Sequence, residues 1–118
     1  MEIRWSDLAL EAWQEAVDDL LDKWGAEAVL NFQAATIQWQ KVLRDNPEAG
    51  QIEPLLENLP KVYRHAVVTQ YNKLIYTVET DYIRIVDVWD TRREPTRQVG
   101  KIRHLDKYCP SQYWINFG

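Results

Sequence analysis

The side chains in this sequence best suited to chemistry are cationic. Arg64 lies in an apolar run from Val62 to Thr69, Lys73 opens the next run, and Arg92 and Arg93 end a third. A guanidinium fork matches the oxygens of a phosphate, and an ammonium adds a compact positive charge. Adjacent antiparallel strands are expected to bring Arg64, Lys73 and Arg93 to one rim of a sheet. Such a rim can hold a phosphate or stabilise the pentavalent transition state of RNA cleavage. The competing reading is ordinary strand-end charge, paired in part with Asp87, Asp90 or Glu94.

Other chemistries find less support. His65, His104 and Cys109 have no spacing suited to a metal. Cys109 has no activating base that can be placed beside it. Acidic pairs such as Asp18-Asp19 fall on the polar face of a helix and read as solvated surface. There is neither a glycine-rich phosphate loop nor a nucleophile elbow. No metal, cofactor or small-molecule substrate is implied.

The elements that must position the cations follow from periodicity. Ile3 and Trp5 share one face of a short opening strand. Ser6 is placed to cap a helix, with Asp7 in its first turn. Ala9, Ala12, Trp13, Ala16, Leu20 and Trp24 then form a helical stripe, and Gly25 ends it. Val29, Phe32, Thr36, Trp39 and Leu43 step by three and four, until Asn46-Pro47 stops the second helix. So short a link implies an antiparallel helical hairpin. Pro47 to Pro60 reads as an irregular connection. Strands are expected over about 62–69, 73–79 and 82–89, with turn chemistry at Asn72 and Asp81. In the last strand Ile83 and Ile85 occupy one face, Val86 and Val88 the other, which suits a central strand covered on both sides. The fold class is therefore α+β, in the order β-α-α-β-β-β, with a helical hairpin packed on a small, mostly antiparallel sheet. Residues 1–102 are expected to form the domain. Residues 103–118, with Tyr108, Tyr113, Trp114 and Phe117, read as an aromatic tail packed on the domain or on a partner.

Bulk properties narrow the function classes. With 118 residues, one domain and one modest core are expected. A single cysteine cannot form an internal disulfide. No apolar run approaches the ~18 residues of a membrane span, and MEIRWSDL is unlike a signal peptide, so a cytoplasmic location without membrane association is expected. The net charge of −4 counts against whole-surface binding to nucleic acid but leaves room for a local basic site. Of the tryptophans, Trp13, Trp24 and Trp39 on the helical hairpin are candidate anchors for a protein partner.

Three stretches in order, IRWSDLALEAWQEAVDDLLDKWG, VLRDNPEAG and YRHAVVTQYNKLIYTVETDYIRIVDVWDTRREP, give the chain the appearance of a family. Their ordered set resembles the RelE/ParE superfamily of type II toxin–antitoxin toxins, over about residues 2–102. The resemblance implies a growth-inhibiting toxin neutralised by a co-expressed antitoxin. In the RelE branch the toxin cleaves mRNA in the ribosomal A site with basic residues on the sheet and a C-terminal tyrosine; in the ParE branch it poisons DNA gyrase. On the RelE pattern, Arg64 falls at the first basic position of the second strand, and Lys73 replaces a usual arginine. Arg93 matches the arginine after the last strand, with Arg92 beside it as a target contact. Ala66 stands where a second basic residue is usual, and Val99 near the place of the catalytic tyrosine, for which Tyr108 is the nearest downstream candidate. The cations favour the nuclease branch, whereas the acidic total favours ParE-like inhibition of gyrase. The missing functions at Ala66 and Val99 fit a third reading, an inactive module that only binds antitoxin.

Overall fold

Ser6 starts the first helix as its position predicts: its Oγ accepts the Ala9 amide at 3.0 Å. The same hydroxyl donates to the Val86 carbonyl at 3.0 Å, which fixes the helix start to the sheet. The computed structural model describes residues 1–108. Strand β1 (Glu2–Trp5) leads into helix α1 (Asp7–Trp24), and helix α2 (Ala26–Asp45) returns. Strand β2 (Gln51–Ile52) and a 3-10 turn (Pro54–Leu56) follow, then strands β3 (Tyr63–Thr69), β4 (Asn72–Val78) and β5 (Tyr82–Asp90) and helix α3 (Pro95–Tyr108). The sheet order is β1-β5-β4-β3-β2; β1 runs parallel to β5, and the other neighbours are antiparallel. The α+β class and the expected order of helices and strands hold.

Gly25 separates the two helices with φ +91°, and its amide donates to the carbonyls of Leu20 and Leu21. A residue with a Cβ adopts that φ at a cost, so glycine lets α2 begin at once. The hairpin packs on one face of the sheet. Ala9, Leu20, Phe32 and Leu43 meet Trp5, Leu74, Tyr76, Ile83, Ile85 and Val88 in one core. On the other face Leu56, Tyr63, Ile75, Val86 and Trp89 are covered by Ile102 and Leu105 of α3.

Two differences from the sequence reading have clear causes. Register shifts from Ile75 opposite Asp87 to Tyr76 opposite Ile85, so Val86 is an extra residue in a β-bulge. Val88 therefore joins Ile83 and Ile85 on the hairpin side, and Val86 packs under α3. Strict alternation had put Val86 and Val88 together. Helix α3 is not anticipated by the sequence reading, since Gly100 interrupts its helical pattern and, among its described side chains, Ile102 and Leu105 are the buried ones. It runs without a break across residues 102 and 103. Cys109, Tyr113, Trp114 and Phe117 lie outside the described residues. No described helix is long and apolar enough to cross a membrane.

The connection before β3 is held at Gly50. Its amide donates to Tyr76 Oη at 2.9 Å, and that hydroxyl donates to the Pro47 carbonyl at 2.8 Å. A Cβ on Gly50 would lie 2.6 Å from both the His65 carbonyl oxygen and Tyr76 Oη. Gly50→Ala should therefore cost about 1–3 kcal/mol, as overpacking does. Urea unfolding would register it as a lower midpoint at constant slope; an unchanged midpoint would mean that the connection yields freely.

Candidate functional site

Arg64 lies on β3 opposite Tyr76, on the face that carries the helical hairpin. Its Nη1 donates to the Gly50 carbonyl at 2.9 Å and reaches the Glu48 carbonyl at 3.4 Å. Its guanidinium thus fastens the chain leading from α2 to β2.

Lys73 pairs with Val67 on one side and Trp89 on the other, on the face that carries α3. Its ammonium binds Glu53 Oε1 and stands 5.2 Å from the centre of the Trp89 ring. His65 Nδ1 lies 3.1 Å from the same carboxylate oxygen, and Glu53 Oε2 accepts the Leu55 amide at 3.0 Å. Burial alone would raise the Glu53 carboxyl; the Lys73 ammonium, the Leu55 amide and nearby His65 outweigh it and hold the group below its usual range. Glu53 is thus the buried hub of a polar cluster that links the 3-10 turn to β3 and β4.

Arg92 and Arg93 leave β5 at the end where Asn72 faces Asp90. Arg92 Nη2 meets Asp90 Oδ2 at 2.9 Å and Asp19 Oδ2 of α1 at 3.0 Å, and its guanidinium lies 4.5 Å from the centre of the Tyr71 ring. Arg93 is 57% exposed and only loosely paired, 3.7 Å from Asp90 and 3.8 Å from Glu15. The two arginines close together, as their adjacency predicts. The single rim expected for Arg64, Lys73 and Arg93 does not form. Period-two alternation sets Arg64 and Lys73 on opposite faces, and the antiparallel register aligns Arg64 with Tyr76 rather than with Lys73. Tyr108 ends α3, and its side chain lies outside the described part of the structure.

Past Ile85, β5 has no β1 neighbour, and a cleft of about 250 Å³ opens between α1 and α3. Asp87 lines it and is 3% exposed. Its oxygens accept the Val88 amide at 2.8 Å and Trp89 Nε1 at 3.0 Å. Burial pushes its carboxyl up to about 7, against the pull of those two donors and of the Lys101 charge. Sequence reasoning missed Glu53 and offered Asp87 only as a partner for the cations. Glu53 sits in an irregular stretch, but Asp87 has a readable signal as a carboxylate set between Val86 and Val88 in a strand of mostly apolar residues.

The three tryptophans of the hairpin have different surroundings. Trp13 stacks on Phe32 with centroids 5.5 Å apart and donates to Thr36 Oγ1 at 3.2 Å. Trp39 is half-buried, and its Nε1 donates to the Val67 carbonyl at 2.7 Å. Trp24, beside the Gly25 turn, is 59% exposed. Leu21 and Leu30 on either side of the turn are also exposed.

The family model for the ParE toxin of the type II toxin–antitoxin system parDE matches residues 3–95. Among solved structures, a chain of the chromosomal ParDE TA system from P. aeruginosa superposes with a TM-score of 0.61 at 18% identity, covering 76% of this chain and 95% of that one. At that identity the likeness is one of fold. No curated protein matches the sequence. The family match spans most of the chain, from β1 to the first residue of α3, and the chain belongs to the ParE toxin family of the RelE/ParE superfamily.

Proposed function

We propose that this protein is the growth-inhibiting toxin of a type II pair, held inactive by an antitoxin protein, and that it acts by binding DNA gyrase rather than by cutting mRNA. Family membership supports the toxin and its antitoxin partner. The observation that carries the choice of target is the fate of the cations. Arg64 and Lys73 occupy opposite faces, Lys73 and Arg92 are engaged by carboxylates, and Arg64 is spent on backbone carbonyls. Transition-state stabilisation requires donors preorganised toward one point, and Arg64, Lys73 and Arg92 have no common point. A protein target needs only a complementary surface, such as the Arg92–Arg93 corner or the exposed apolar residues of the hairpin. Gyrase places the site of action in the cytoplasm.

Induced expression in a bacterial host tests both parts. Growth arrest should be accompanied first by DNA breaks and an SOS response, with mRNA intact, and co-expression of the antitoxin encoded beside the gene should restore growth. Early mRNA cleavage on an unbroken chromosome would instead assign the nuclease reading, with Arg64, Lys73, Arg93 and Tyr108 to be tested as its catalytic set. Unimpaired growth at verified soluble expression would leave only the antitoxin-binding module.

A further inference from the structure

The family match ends where α3 begins, and α3 differs in charge from everything before it. Its residues include Arg97, Lys101, Arg103 and Lys107 against one acid, Asp106, in a chain of net charge −4. Arg97, Lys101 and Arg103 are exposed, and among the described residues none of them makes an ion pair or a hydrogen bond. The cations of the hairpin and sheet are mostly matched: Lys23 with Asp19, Lys61 with Glu79, Lys73 with Glu53, Arg92 with Asp90. Among the described residues of α3, Arg97, Lys101 and Arg103 thus present solvated charge that a partner's carboxylates can meet.

Arg97 and Lys101, one helical turn apart, face the groove between α3 and α1. The α1 wall carries Glu11, Glu15 and Asp19; Leu8 and Leu105 make one end of the groove apolar, and Asp87 lies buried at the base of the other. Neither Arg97 nor Lys101 forms a salt bridge across the groove, so the two charged walls stand apart with room between them. A duplex nucleic acid is a poor fit, because its uniform charge of one per ~1.7 Å meets the acidic wall along with the basic one. An extended peptide fits both walls, because its successive side chains point to opposite sides. We propose that this groove seats an extended segment of the antitoxin in which acidic side chains facing α3 alternate with basic ones facing α1, with leucine-sized residues at the apolar end. The proposal takes from the proposed function only the source of the segment; the groove's selectivity is a property of this chain alone.

Fluorescence anisotropy on the full chain tests it. The probe is a labelled peptide of alternating Glu and Lys with two Leu at one end, set against all-Glu and all-Lys peptides of equal length and a short DNA duplex. The alternating peptide should bind saturably, about tenfold tighter than either uniform peptide, and weaken as salt shortens the screening length. Arg97→Glu with Lys101→Glu should weaken it about tenfold again while thermal unfolding shows the fold retained, both side chains being exposed. Tighter binding of the duplex or of the all-Glu peptide overturns the proposal, as does a lack of saturable binding or indifference to the double substitution. Because this assay involves neither growth nor gyrase, a failed toxicity test and a failed groove test remain distinguishable.

Discussion

Truncating Glu53 to alanine should destabilise the protein by roughly 3–5 kcal/mol, the cost of breaking a buried ion pair from one side. Glu53 is 1% exposed. Its loss strands the Lys73 ammonium, only 17% exposed, against the Trp89 ring and leaves the Leu55 amide without its acceptor. Natural domains hold only about 5–15 kcal/mol in reserve, so a fraction of the variant should be unfolded near physiological temperature. Glu53→Gln with Lys73→Met removes both charges while keeping the volume, and should recover much of the loss, which a double-mutant cycle measures directly. The cycle also bears on function. If Lys73 serves this cluster alone, the double variant should keep its toxicity once it is folded. A stable, folded Lys73→Met protein without toxicity would return Lys73 to a chemical role. A midpoint for Glu53→Ala equal to that of the parent would show that the cluster contributes nothing to the fold.

Local chemistry made most of the scaffold readable. Ser6 and Gly25 mark helix boundaries by mechanisms that need no tertiary information, and the stripes from Ala9 to Leu43 dictate which faces are buried. The three long strands emerge from β-branched and aromatic runs between turn residues. What escaped depends on partners distant in sequence. Strand β2 is two residues long and exists only because Gln51 and Ile52 meet His65 and Arg64. The bulge at Val86 reverses the face of Val88, and nothing local to 82–90 announces it. The charge pairs are the least readable: Arg92 finds Asp19 across 73 positions and Lys73 finds Glu53 across 20. The cations stand out in an acidic chain. Their assembly into a rim required a register and a facing that spacing alone does not determine. Trp39, expected as a partner anchor, spends its indole N–H on the Val67 carbonyl, a contact between α2 and the edge of β3.

Replacing Asp87 by asparagine should change how stability responds to pH. In the folded protein burial raises the Asp87 carboxyl from an ordinary 3.8 to about 7. Between those values the folded state holds a proton that the unfolded chain has released, so wild-type stability falls as pH rises through that window. The full span corresponds to about 4 kcal/mol. Glu15 and Lys101 face the same carboxyl with opposite effects and are present in both proteins, so a difference measurement cancels their own titrations. The carboxyls of Asp19, Glu53, Asp90 and Glu94 are shifted downward, so their contributions are lost on acidification from the lower edge of the Asp87 window downward, and they cancel in the same difference. Asparagine keeps the shape, but only its one oxygen can accept, so either Val88 N or Trp89 Nε1 loses its acceptor and faces the donor NH2, a loss of about 1–3 kcal/mol at any pH. The variant should therefore be the less stable protein near pH 4 and draw level with the wild type or surpass it by pH 8. Urea midpoints at half-unit steps of pH would show the difference narrowing and then reversing. A constant difference across that range would mean that Asp87 titrates near its ordinary value and that the cleft between α1 and α3 is far wetter than its burial indicates.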